Sequence, residues 1–508
     1  MTITTASPIA PLLESDAYKV DHRRQYPAGT TRVYSNFTNR GSRIPGIDHV
    51  VHFGLQAFLQ RYCIEAFEPF FQASEHEVVA EYAAAINSIL GPNKVGTDHI
   101  RALHRLGYLP LRFCAVPEGT LVPLKVPSFT IENTLPEFFW LTNFVETVVS
   151  ASVWHPSTVA TIAHSYREIL DRAAARTGAD PASVDFQLHD FSYRGQTGTE
   201  AAAASGAGHL LSFKGSDTLA SLDWVRRYYA GDNGLVLASV PATEHSVMCA
   251  GGQDDEFDTY SRLLDLYPSG IVSIVSDTWD LWNVITNILP ALRDEIMERD
   301  GKVVIRPDSG DPVEILCGTV PAEANPMGPA LEWTYGKREN WAPAYKGVIE
   351  LLWEEFGGTV NEQGFKELDP HIGAIYGDSI TPERAAEITR RLAAKGFASS
   401  NVVFGVGSYS YQYLTRDTFG SAMKATWVLV DGVGHDIQKN PVTDSGLKKS
   451  ATGRLAVLRD GHTGELVLRQ QASPLEELNS ELQPVWEDGE FLRYQSFADV
   501  RAVLASQR

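Results

Sequence analysis

The stretch "KVVIRPDSGDP", residues 302–312, determines how the chain is interpreted. An apolar run, Val303–Ile305, is followed at once by Arg306, Pro307 and Asp308, and a glycine turn comes next. A continuous apolar run bounded by turn residues is typical of a strand that is buried on both faces. Opposite charges two residues apart at its end indicate either a local ion pair or a ligand site at the carboxyl edge of a sheet.

The same pattern repeats from residue 185 onward. A short apolar strand ends in a polar or glycine-rich turn, a helical segment follows, and most strands start about 25–35 residues apart, the size of one strand–helix unit. The predicted strands are 184–195, 209–217, 235–246, 270–280, 302–312, 372–380 and 401–410, with an insertion rich in Pro, Gly and Trp near 317–345. Seven units in series predict a parallel sheet covered by helices. A closed α/β barrel fits better than the alternative, an open doubly wound sheet, because the polar residues all follow the strands.

The regions on either side of these units have a different character. Residues 30–40 and 119–134 contain strand-like runs, and a long helical stretch over roughly 135–178 has a predicted break at His155–Pro156. After residue 420, Asp-Gly and Gly-His turns between alternating strands predict antiparallel hairpins. We therefore predict three regions: 1–180, mixed strands and helices; 181–418, the barrel with the active site; and 419–508, which joins 1–180 in a second, mixed α+β domain.

Composition narrows the possible partners and the compartment. The chain has 508 residues and a net charge of −20, which argues against general binding to nucleic acid or to an anionic membrane. The four cysteines are scattered and form no CxxC pair, so a structural zinc site is not expected. We expect reduced thiols in a cytoplasmic protein instead. The most apolar segment, 135–154, contains two glutamates and predicts a buried helix rather than a membrane span.

Polar residues follow every predicted strand. A carboxylate in this position often only caps the next helix, but seven such ends in register would converge on one pocket of a barrel. In "FGVGSYSYQYLTRD", residues 404–417, Gly405 and Gly407 would let the backbone approach a phosphate closely. The strand-end residues are His189, Asp190, Tyr193, Arg194, Lys214, Asp217, Glu244, His245, Ser276, Asp277, Arg306, Asp308, Gly377, Asp378, Gly405 and Gly407.

Ten ordered blocks resemble the nicotinamide phosphoribosyltransferase family, and they extend over most of the chain. The blocks are "DAYKVDHRRQYP" (16–27), "FGLQAFL" (53–59), "IENTLPEFFWLTNFVET" (131–147), "LHDFSYRG" (188–195), "FKGSDT" (213–218), "VPATEHS" (240–246), "VSDTWD" (275–280), "IRPDSGDP" (305–312), "YGDSI" (376–380) and "LTRD" (414–417). The resemblance implies a type II phosphoribosyltransferase with an irregular parallel α/β barrel and a second, mixed α+β domain. Such an enzyme joins nicotinamide to 5-phosphoribosyl 1-pyrophosphate in NAD salvage, releasing pyrophosphate. It also implies Mg²⁺ held mainly by pyrophosphate and water, ATP hydrolysis through a phosphohistidine, and a head-to-tail homodimer with shared active sites.

The resemblance also implies a binding site for the pyridine ring. Phe191 would stack on one face of the ring, and Tyr18 from the other subunit would cover the second face. Asp217 would accept a hydrogen bond from the carboxamide, and Arg194 would lie beside the ring and the phosphates. An aspartate at this place makes physical sense, because it would repel the carboxylate of nicotinate.

The remaining implied roles concern the sugar, the phosphates and the reaction. Asp308, Asp277 and Arg306 would surround the ribose and pyrophosphate, and His245 would be the phosphorylated histidine. Ser408 stands where the family has a glycine, so a requirement for positive φ there would alter the site. The other implied contacts are Gly377 and Asp378 with the ribose hydroxyls, Gly407 and Ser408 with the 5-phosphate, and Arg40, Arg416, Lys424 and Lys439 with the pyrophosphate.

Three alternatives stay open from the sequence. The nearest is a related transferase that acts on nicotinate or another pyridine. The second is a binding protein that keeps the fold without catalysis. The third is a barrel lyase or aldolase with a Schiff-base lysine, for which Lys214 is the only candidate at a strand end.

Overall fold

The computed structural model describes residues 7–229, 234–319, 337, 341–377, 379–438 and 450–508. The chain divides into two compact units. The flanking unit comprises Met1–Thr161, Asp223–Gly234 and Leu414–Arg508, and the barrel unit comprises Ile162–Leu222 and Leu235–Tyr413. Most of the insertion predicted near 317–345 lies outside the described residues.

The strands and helices have the following bounds. The strands are β1 (Thr30–Asn39), β2 (His49–Val51), β3 (Leu111–Ala115), β4 (Leu121–Pro123), β5 (Pro127–Asn133), β6 (Leu188–Asp190), β7 (Gly215–Ser216), β8 (Ser269–Val275), β9 (Asp300–Arg306), β10 (Gly358–Val360), β11 (Lys366–Leu368), β12 (Ile372–Tyr376), β13 (Val402–Val406), β14 (Ser421–Val430), β15 (Val433–Asp436), β16 (Leu455–Arg459), β17 (Leu466–Gln470), β18 (Gln483–Glu487) and β19 (Glu490–Phe491). The α-helices are Ala10–Leu13, His22–Gln25, Leu55–Phe58, Glu68–Gln72, Glu75–Leu90, Asp98–Leu106, Phe139–Phe144, Glu146–Thr177, Thr199–His209, Ala220–Tyr228, His245–Cys249, Glu256–Leu266, Leu281–Asn283, Leu289–Ala291, Arg293–Glu298, Pro312–Cys317, Pro343–Lys346, Val348–Phe356, Pro382–Ala394, Ser408–Tyr411, Pro474–Leu478 and Phe497–Ala505. Short 3₁₀ turns lie at Ala17–Lys19, Pro136–Phe138, Pro181–Phe186, Tyr193–Gly195, Gln253–Asp255 and Ser399–Asn401, and π-helical turns at Leu59–Ala66 and Val284–Ile288.

The barrel unit contains a parallel sheet of six strands in the order β7-β6-β13-β12-β9-β8. Strand β9, which contains the apolar run Val303–Ile305, lies inside this sheet, where Val303 pairs with Val272 of β8 and with Ile372 of β12. Val303 and Ile305 are buried, and all five residues of β12 are buried as well. Continuous apolar strands are the expected composition for a sheet covered on both faces.

The predicted strand at 235–246 forms only isolated bridges. Ala238 bridges Gly215 of β7, and Ala242 bridges Ser273 of β8. Pro241 has no N–H group to donate, which prevents a regular ladder at this point. Because this segment contacts both edge strands of the six-stranded sheet, it closes the sheet into an irregular barrel. The predicted parallel α/β barrel is confirmed, and the open doubly wound alternative is wrong.

The flanking unit is built around an antiparallel sheet of seven strands in the order β15-β14-β1-β5-β3-β18-β19. Both predicted C-terminal hairpins form, β14–β15 and β16–β17. In the first, Asp431 and Gly432 have φ values of 49° and 76°, as a tight two-residue hairpin turn requires. Strand β1 pairs with both β14 and β5, so N-terminal and C-terminal segments share one sheet, as predicted for the second domain.

The helix Glu146–Thr177 differs from the prediction. Pro156 lies inside it, so the expected break at His155–Pro156 is wrong. An interior proline costs about 3 kcal/mol in an isolated helix, and here the tertiary packing of this buried segment outweighs that cost. Among the described residues, no helix combines the length and the hydropathy needed to cross a bilayer.

Candidate active site

The carboxyl ends of the parallel strands surround a cavity of about 410 Å³ in the barrel unit. Parallel strands bring the residues that follow them to one edge of the sheet, where barrel enzymes carry their sites. The lining residues are Phe191, Tyr193, Arg194, Asp217, Thr218, Ala242, Thr243, Glu244, Arg306, Asp308 and Gly377. The barrel therefore gathers an aromatic ring, carboxylates and arginines from several separate loops into one pocket.

Arg306 and Asp308 do not pair with each other within the described part of the chain. The guanidinium carbon of Arg306 lies 5.8 Å from the centroid of the Phe191 ring, and its Nε atom is buried without a hydrogen-bond partner. Asp308 Oδ2 lies instead 3.7 Å from His245 Nε2. A buried donor without a partner costs about 1–3 kcal/mol, so Arg306 is arranged to gain from an anionic ligand rather than to cap β9.

Phe191 provides a flat wall of the cavity. Its backbone N–H donates to the carbonyl of Val406 at 2.9 Å, which ties the loop after β6 to the end of β13. Its ring centroid lies 4.7 Å from that of His189, with an angle of 32° between the planes. The Arg306 guanidinium also lies near this ring, so the ring has one aromatic and one cationic neighbour. Such a rigid apolar wall suits a flat heteroaromatic ligand.

Asp217 is held by two side-chain donors on one oxygen. His189 Nε2 lies 3.0 Å from Asp217 Oδ1, and the Ser239 hydroxyl donates to the same oxygen. Burial works against ionisation of Asp217, but these hydrogen bonds and the charge of Arg306 outweigh it, so the pKa of this carboxyl lies below its ordinary value. Asp217 is therefore a carboxylate at neutral pH.

His245 and Asp277 lie near the cavity without lining it. His245 begins the helix His245–Cys249, and its side chain is 47% exposed, open enough to react with a solute. Its Nδ1 lies 3.2 Å from the Thr278 hydroxyl. Asp277 follows β8, and its Oδ1 is buried without a hydrogen-bond partner, so this oxygen can accept a donor or a cation.

Two glycine positions allow close approach at the ends of β12 and β13. A Cβ on Gly377 would lie 2.3 Å from Asp308 Oδ1, and one on Gly405 would lie 2.7 Å from the carbonyl oxygen of Tyr376. These glycines thus leave room for neighbouring groups rather than supplying unusual φ values. Gly377 has no positive φ.

Ser408 occupies its place in the glycine loop without strain. Gly407 caps the single helical turn Ser408–Tyr411 with an extended backbone, and Ser408 has no positive φ. A Cβ on Gly195 would lie 2.2 Å from the Cβ of Ser408, so the serine side chain packs against the bare backbone of Gly195. The concern that this position needs positive φ is not realised in this chain.

Tyr18 and three of the predicted cations lie together in the flanking unit. Arg40, Arg416 and Lys424 line a cavity of about 360 Å³ with Tyr18, a residue that is 65% exposed. Arg40 and Lys424 also line a second cavity of about 560 Å³, to which Lys125 contributes. The sequence thus predicted a cluster of cations, and the structure adds an exposed aromatic side chain beside them.

The segment that carries Tyr18 is anchored by a buried ion pair. Lys19 Nζ lies 3.0 Å from Glu146 Oε2 and 2.6 Å from the carbonyl oxygen of Asn143. The side chains of Lys19 and Glu146 are only 6% and 12% exposed. Burial of both charges makes the partners mutually dependent, and it fixes the 3₁₀ turn Ala17–Lys19 from which Tyr18 projects.

Two predicted residues cannot be placed, and two residues that were given no specific role stand out. Asp378 and Lys439 lie outside the described residues. His189 was predicted only as one of the strand-end residues, and Ser239 was not predicted, yet both hydrogen-bond to Asp217. The alternation of a strand places His189 with Phe191, since the two are two residues apart and therefore on the same face. Ser239 carries no comparable signal in the sequence.

The described residues contain no group of three or more His, Cys, Asp or Glu side chains arranged to hold a metal ion. Lys214 does not line the cavity; its Nζ pairs with Asp185 Oδ2 at 2.8 Å. An amine held in an ion pair outside the pocket is a poor candidate for Schiff-base formation, which weighs against the lyase alternative.

The cavity combines an arginine with a buried, unpartnered donor, carboxylates, an aromatic wall and a glycine turn. These are groups that an enzyme transferring a phosphorylated sugar can use at the strand ends of an α/β barrel. A search of family models matches residues 186–483 to the nicotinate phosphoribosyltransferase family and residues 10–67 to the nicotinamide phosphoribosyltransferase N-terminal domain. The first match extends over more than half of the chain. The chain belongs to the nicotinamide phosphoribosyltransferase family and is a pentosyltransferase.

Curated relatives agree with this assignment over almost their whole length. The chain is 50% identical to a nicotinamide phosphoribosyltransferase of Acinetobacter baylyi, over 98% of each chain. It is 36% identical to one of Mycoplasma pneumoniae, over 87% of this chain and 94% of the relative. A crystal structure of nicotinate-nucleotide pyrophosphorylase from Pyrococcus furiosus shares the fold, with a TM-score of 0.54, 14% identity, and coverage of 100% of this chain and 97% of that one.

Proposed function

We propose that this chain transfers the phosphoribosyl group of 5-phosphoribosyl 1-pyrophosphate to nicotinamide, giving nicotinamide mononucleotide and pyrophosphate in NAD salvage. The observation that carries the proposal is the composition of the barrel cavity. One part of its lining is the Phe191 ring beside the Asp217 carboxylate, and another is Arg306 beside Asp308. A neutral heteroaromatic amide matches the first pair, and a phosphorylated sugar matches the second.

The pyridine ring stacks on Phe191, and its carboxamide donates to Asp217. The ring lies near Arg306, whose cation already faces Phe191 at 5.8 Å. Arg194 lines the same cavity and lies beside the ring and the phosphates. Nicotinate is disfavoured because its carboxylate would face a second carboxylate, and juxtaposed like charges cost several kcal/mol.

The sugar and its phosphates take the remaining side chains and backbone groups. Arg306, with its orphaned Nε, meets phosphate charge, while Asp308 and Asp277 lie near the ribose. The Gly377 backbone leaves room for the ribose because any side chain there would strike Asp308. The 5-phosphate binds at Gly407 and Ser408, where the loop offers backbone N–H groups at the start of a helical turn.

The reaction is a displacement at the anomeric carbon, in which positive charge builds on the sugar as pyrophosphate leaves. Asp308 and Asp277 stabilise that charge, and Arg306 neutralises the departing phosphates. The ring nitrogen is a weak nucleophile, so stacking on Phe191 and the Asp217 contact serve mainly to hold it in line. No protein nucleophile is needed.

Mg²⁺, when bound by pyrophosphate and water, supplies further neutralisation of the leaving group. The Oδ1 atom of Asp277, which is buried without a hydrogen-bond partner, suits an outer contact to such a hydrated ion.

ATP acts as an energy-coupling co-substrate through phosphorylation of His245. The side chain is half exposed, and its Nε2 lies near Asp308 while its Nδ1 lies near Thr278. A phosphoryl group on Nε2 would place negative charge beside Asp308, so phosphorylation and the arrangement of the catalytic carboxylate are expected to be coupled.

The active unit is a homodimer with shared sites, and the protein acts in the cytoplasm. The support is the location of Tyr18, Arg40, Arg416 and Lys424 in a cavity of the flanking unit, which offers an exposed aromatic ring and pyrophosphate-binding cations. We propose that these groups complete the barrel cavity of the other subunit, with Tyr18 covering the free face of the pyridine. Four free cysteines and an acidic surface charge suit the cytoplasm.

The decisive test is a product assay with nicotinamide and nicotinate in parallel, each with 5-phosphoribosyl 1-pyrophosphate and Mg²⁺, in which each mononucleotide is quantified by chromatography. We expect nicotinamide mononucleotide to dominate by at least about a hundredfold in kcat/KM, the scale of one unfavourable charge contact. Preferred formation of the nicotinate product would overturn the assignment of the base and support the related transferase. Formation of neither product, with intact binding of phosphoribosyl pyrophosphate, would support the non-catalytic alternative.

A further inference from the structure

Asp217 has two carboxylate oxygens with different surroundings. Oδ1 receives both side-chain donors, His189 Nε2 at 3.0 Å and the Ser239 hydroxyl. Within the described residues, no side-chain donor is bonded to Oδ2. Since Asp217 lines the cavity, Oδ2 is the oxygen that remains to accept a hydrogen bond from a ligand.

The His189 ring is locked in place on three sides. One face of it packs on the Phe191 ring at 4.7 Å between centroids. The Gly215 backbone closes another side, because a Cβ there would lie 2.8 Å from His189 Nδ1. The Asp217 bond holds the third side. Since Asp217 is ionised and has no proton to give, Nε2 is the donor in this bond.

Ser239 reaches Asp217 from the segment that closes the barrel. It follows Ala238, whose backbone N–H donates to the carbonyl of Lys214 at 2.7 Å. The carbonyl of Ala238 accepts from the backbone N–H of Ser216 at 3.0 Å. The two donors therefore come from different elements, β6 and the closing segment, and converge on one oxygen. A carboxylate fixed by two donors loses less rotational freedom on ligand binding than a free one, which is the physical meaning of pre-organisation.

We propose that His189 and Ser239 are positioning residues that determine the choice between a pyridine carboxamide and a pyridine carboxylate. They fix Asp217 so that only Oδ2 faces the ligand, as an acceptor for an amide N–H. They also form a latent carboxylate site: if Asp217 loses its carboxylate, two donors are left beside the pocket, and an anionic pyridine can take their hydrogen bonds. The inference rests on the proposed function and deepens it by naming what sets the substrate preference.

The His189 substitutions separate the hydrogen bond from the ring packing. H189F keeps an aromatic ring against Phe191 but removes the donor, whereas H189Q keeps an N–H donor and removes the ring. S239A removes the second donor at an exposed position where folding is not at risk. Each variant is assayed for KM and kcat with nicotinamide, nicotinate and 5-phosphoribosyl 1-pyrophosphate, and its melting temperature is recorded.

We expect H189F to raise KM for nicotinamide about tenfold, the scale of one hydrogen bond to a charged group, and S239A to raise it by less. H189Q should retain most of the preference, and KM for phosphoribosyl pyrophosphate should stay within about twofold in all three. A purely structural role would instead lower the melting temperature and change both substrates' KM values together. Equal losses in H189F and H189Q, or unchanged preference in both H189F and S239A, would overturn the proposal.

The latent site is tested by combining substitutions. D217S should gain activity on nicotinate, and the same change in the H189F background should gain much less, because one of the two donors is gone. Additive behaviour of the two substitutions would contradict the latent site. Failure of the wild-type enzyme to use nicotinamide would overturn the proposed function itself, so the two failures are distinguishable. If H189F does not fold, S239A and D217S/S239A give the same comparison.

Discussion

Substitution of Gly377 by alanine is expected to inactivate the enzyme by displacing the side chain of Asp308. The substitution removes no side chain that contacts the substrate. The new Cβ would lie 2.3 Å from Asp308 Oδ1, whereas ordinary van der Waals contact begins at 3.4 Å. Asp308 must therefore retreat by about 1 Å. Gly377 has no positive φ, so alanine brings no backbone strain and the displacement of Asp308 is the main effect.

A misplacement of about 1 Å in a reacting group can lower the rate about a hundredfold. We expect kcat of Gly377→Ala to fall by that factor, approaching the value of Asp308→Ala, with little change in melting temperature. Gly373→Ala is the matched control, because Gly373 lies in β12, the strand that Gly377 directly follows, and its Cβ would meet only the flexible Lys302 side chain, at 3.2 Å. Steady-state assays of mononucleotide formation compare the three variants. If Gly377→Ala and Gly373→Ala both keep wild-type kcat while folded, the position of Asp308 does not control the reaction.

Three further outcomes are expected. Asp217→Ser should lower the ratio of kcat/KM for nicotinamide to that for nicotinate by at least about tenfold; an unchanged ratio would count against the carboxamide contact. His245→Ala should abolish incorporation of labelled phosphate from ATP and the stimulation by ATP, and a variant that is still phosphorylated would refute the role of this histidine. Lys19→Met should cost about 3 kcal/mol in the free energy of unfolding, because it leaves the buried Glu146 carboxylate without a cation, with only the neutral donors Ser35 and Asn143, and Lys19→Met/Glu146→Gln should recover part of that loss in urea titrations. A loss below about 1 kcal/mol for the single variant would mean that water reaches the pair.

The strands of the barrel that form regular ladders could be predicted from the sequence. The short or irregular strands could not. Strands β8 and β9 were predictable because long runs of β-branched residues can be satisfied only in a covered sheet. The predicted strand at 209–217 shrinks to Gly215–Ser216, because the helix Thr199–His209 continues into a turn that takes up the start of the apolar run. The backbone N–H groups of Ser212 and Phe213 donate to the carbonyl of His209, so they are not available to a strand ladder.

Some residues of the candidate site were also predictable from the sequence, and others were not. Arg306, Asp308 and Asp217 were recognisable as polar groups at strand ends, since topology alone places such groups at one rim. The position of Tyr18 beside Arg40, by contrast, depends on a sheet that joins distant segments through β1 and β14, and no local pattern encodes it. The contact of Ser239 with Asp217 could not be predicted from the sequence either, because Ser239 lies in a segment with no regular periodicity.

The segment 235–243, which closes the barrel, has a consequence for how the pocket can evolve. Strands β8 and β9 are paired at seven positions, whereas this segment bridges its neighbouring strands at isolated positions. Its backbone hydrogen bonds to them, among the described residues, include those of Ala238 with Lys214 and Ser216, and those of Pro241 and Thr243 with Ser273. Sparse pairing lowers the free energy of local opening, so amide protons here should exchange with solvent before those of β8 and β9. A stretch that contributes little to global stability also tolerates substitution. Because Ser239 lies in this segment, we expect substitutions of Ser239 to alter its contact with Asp217 at little cost to the stability of the barrel.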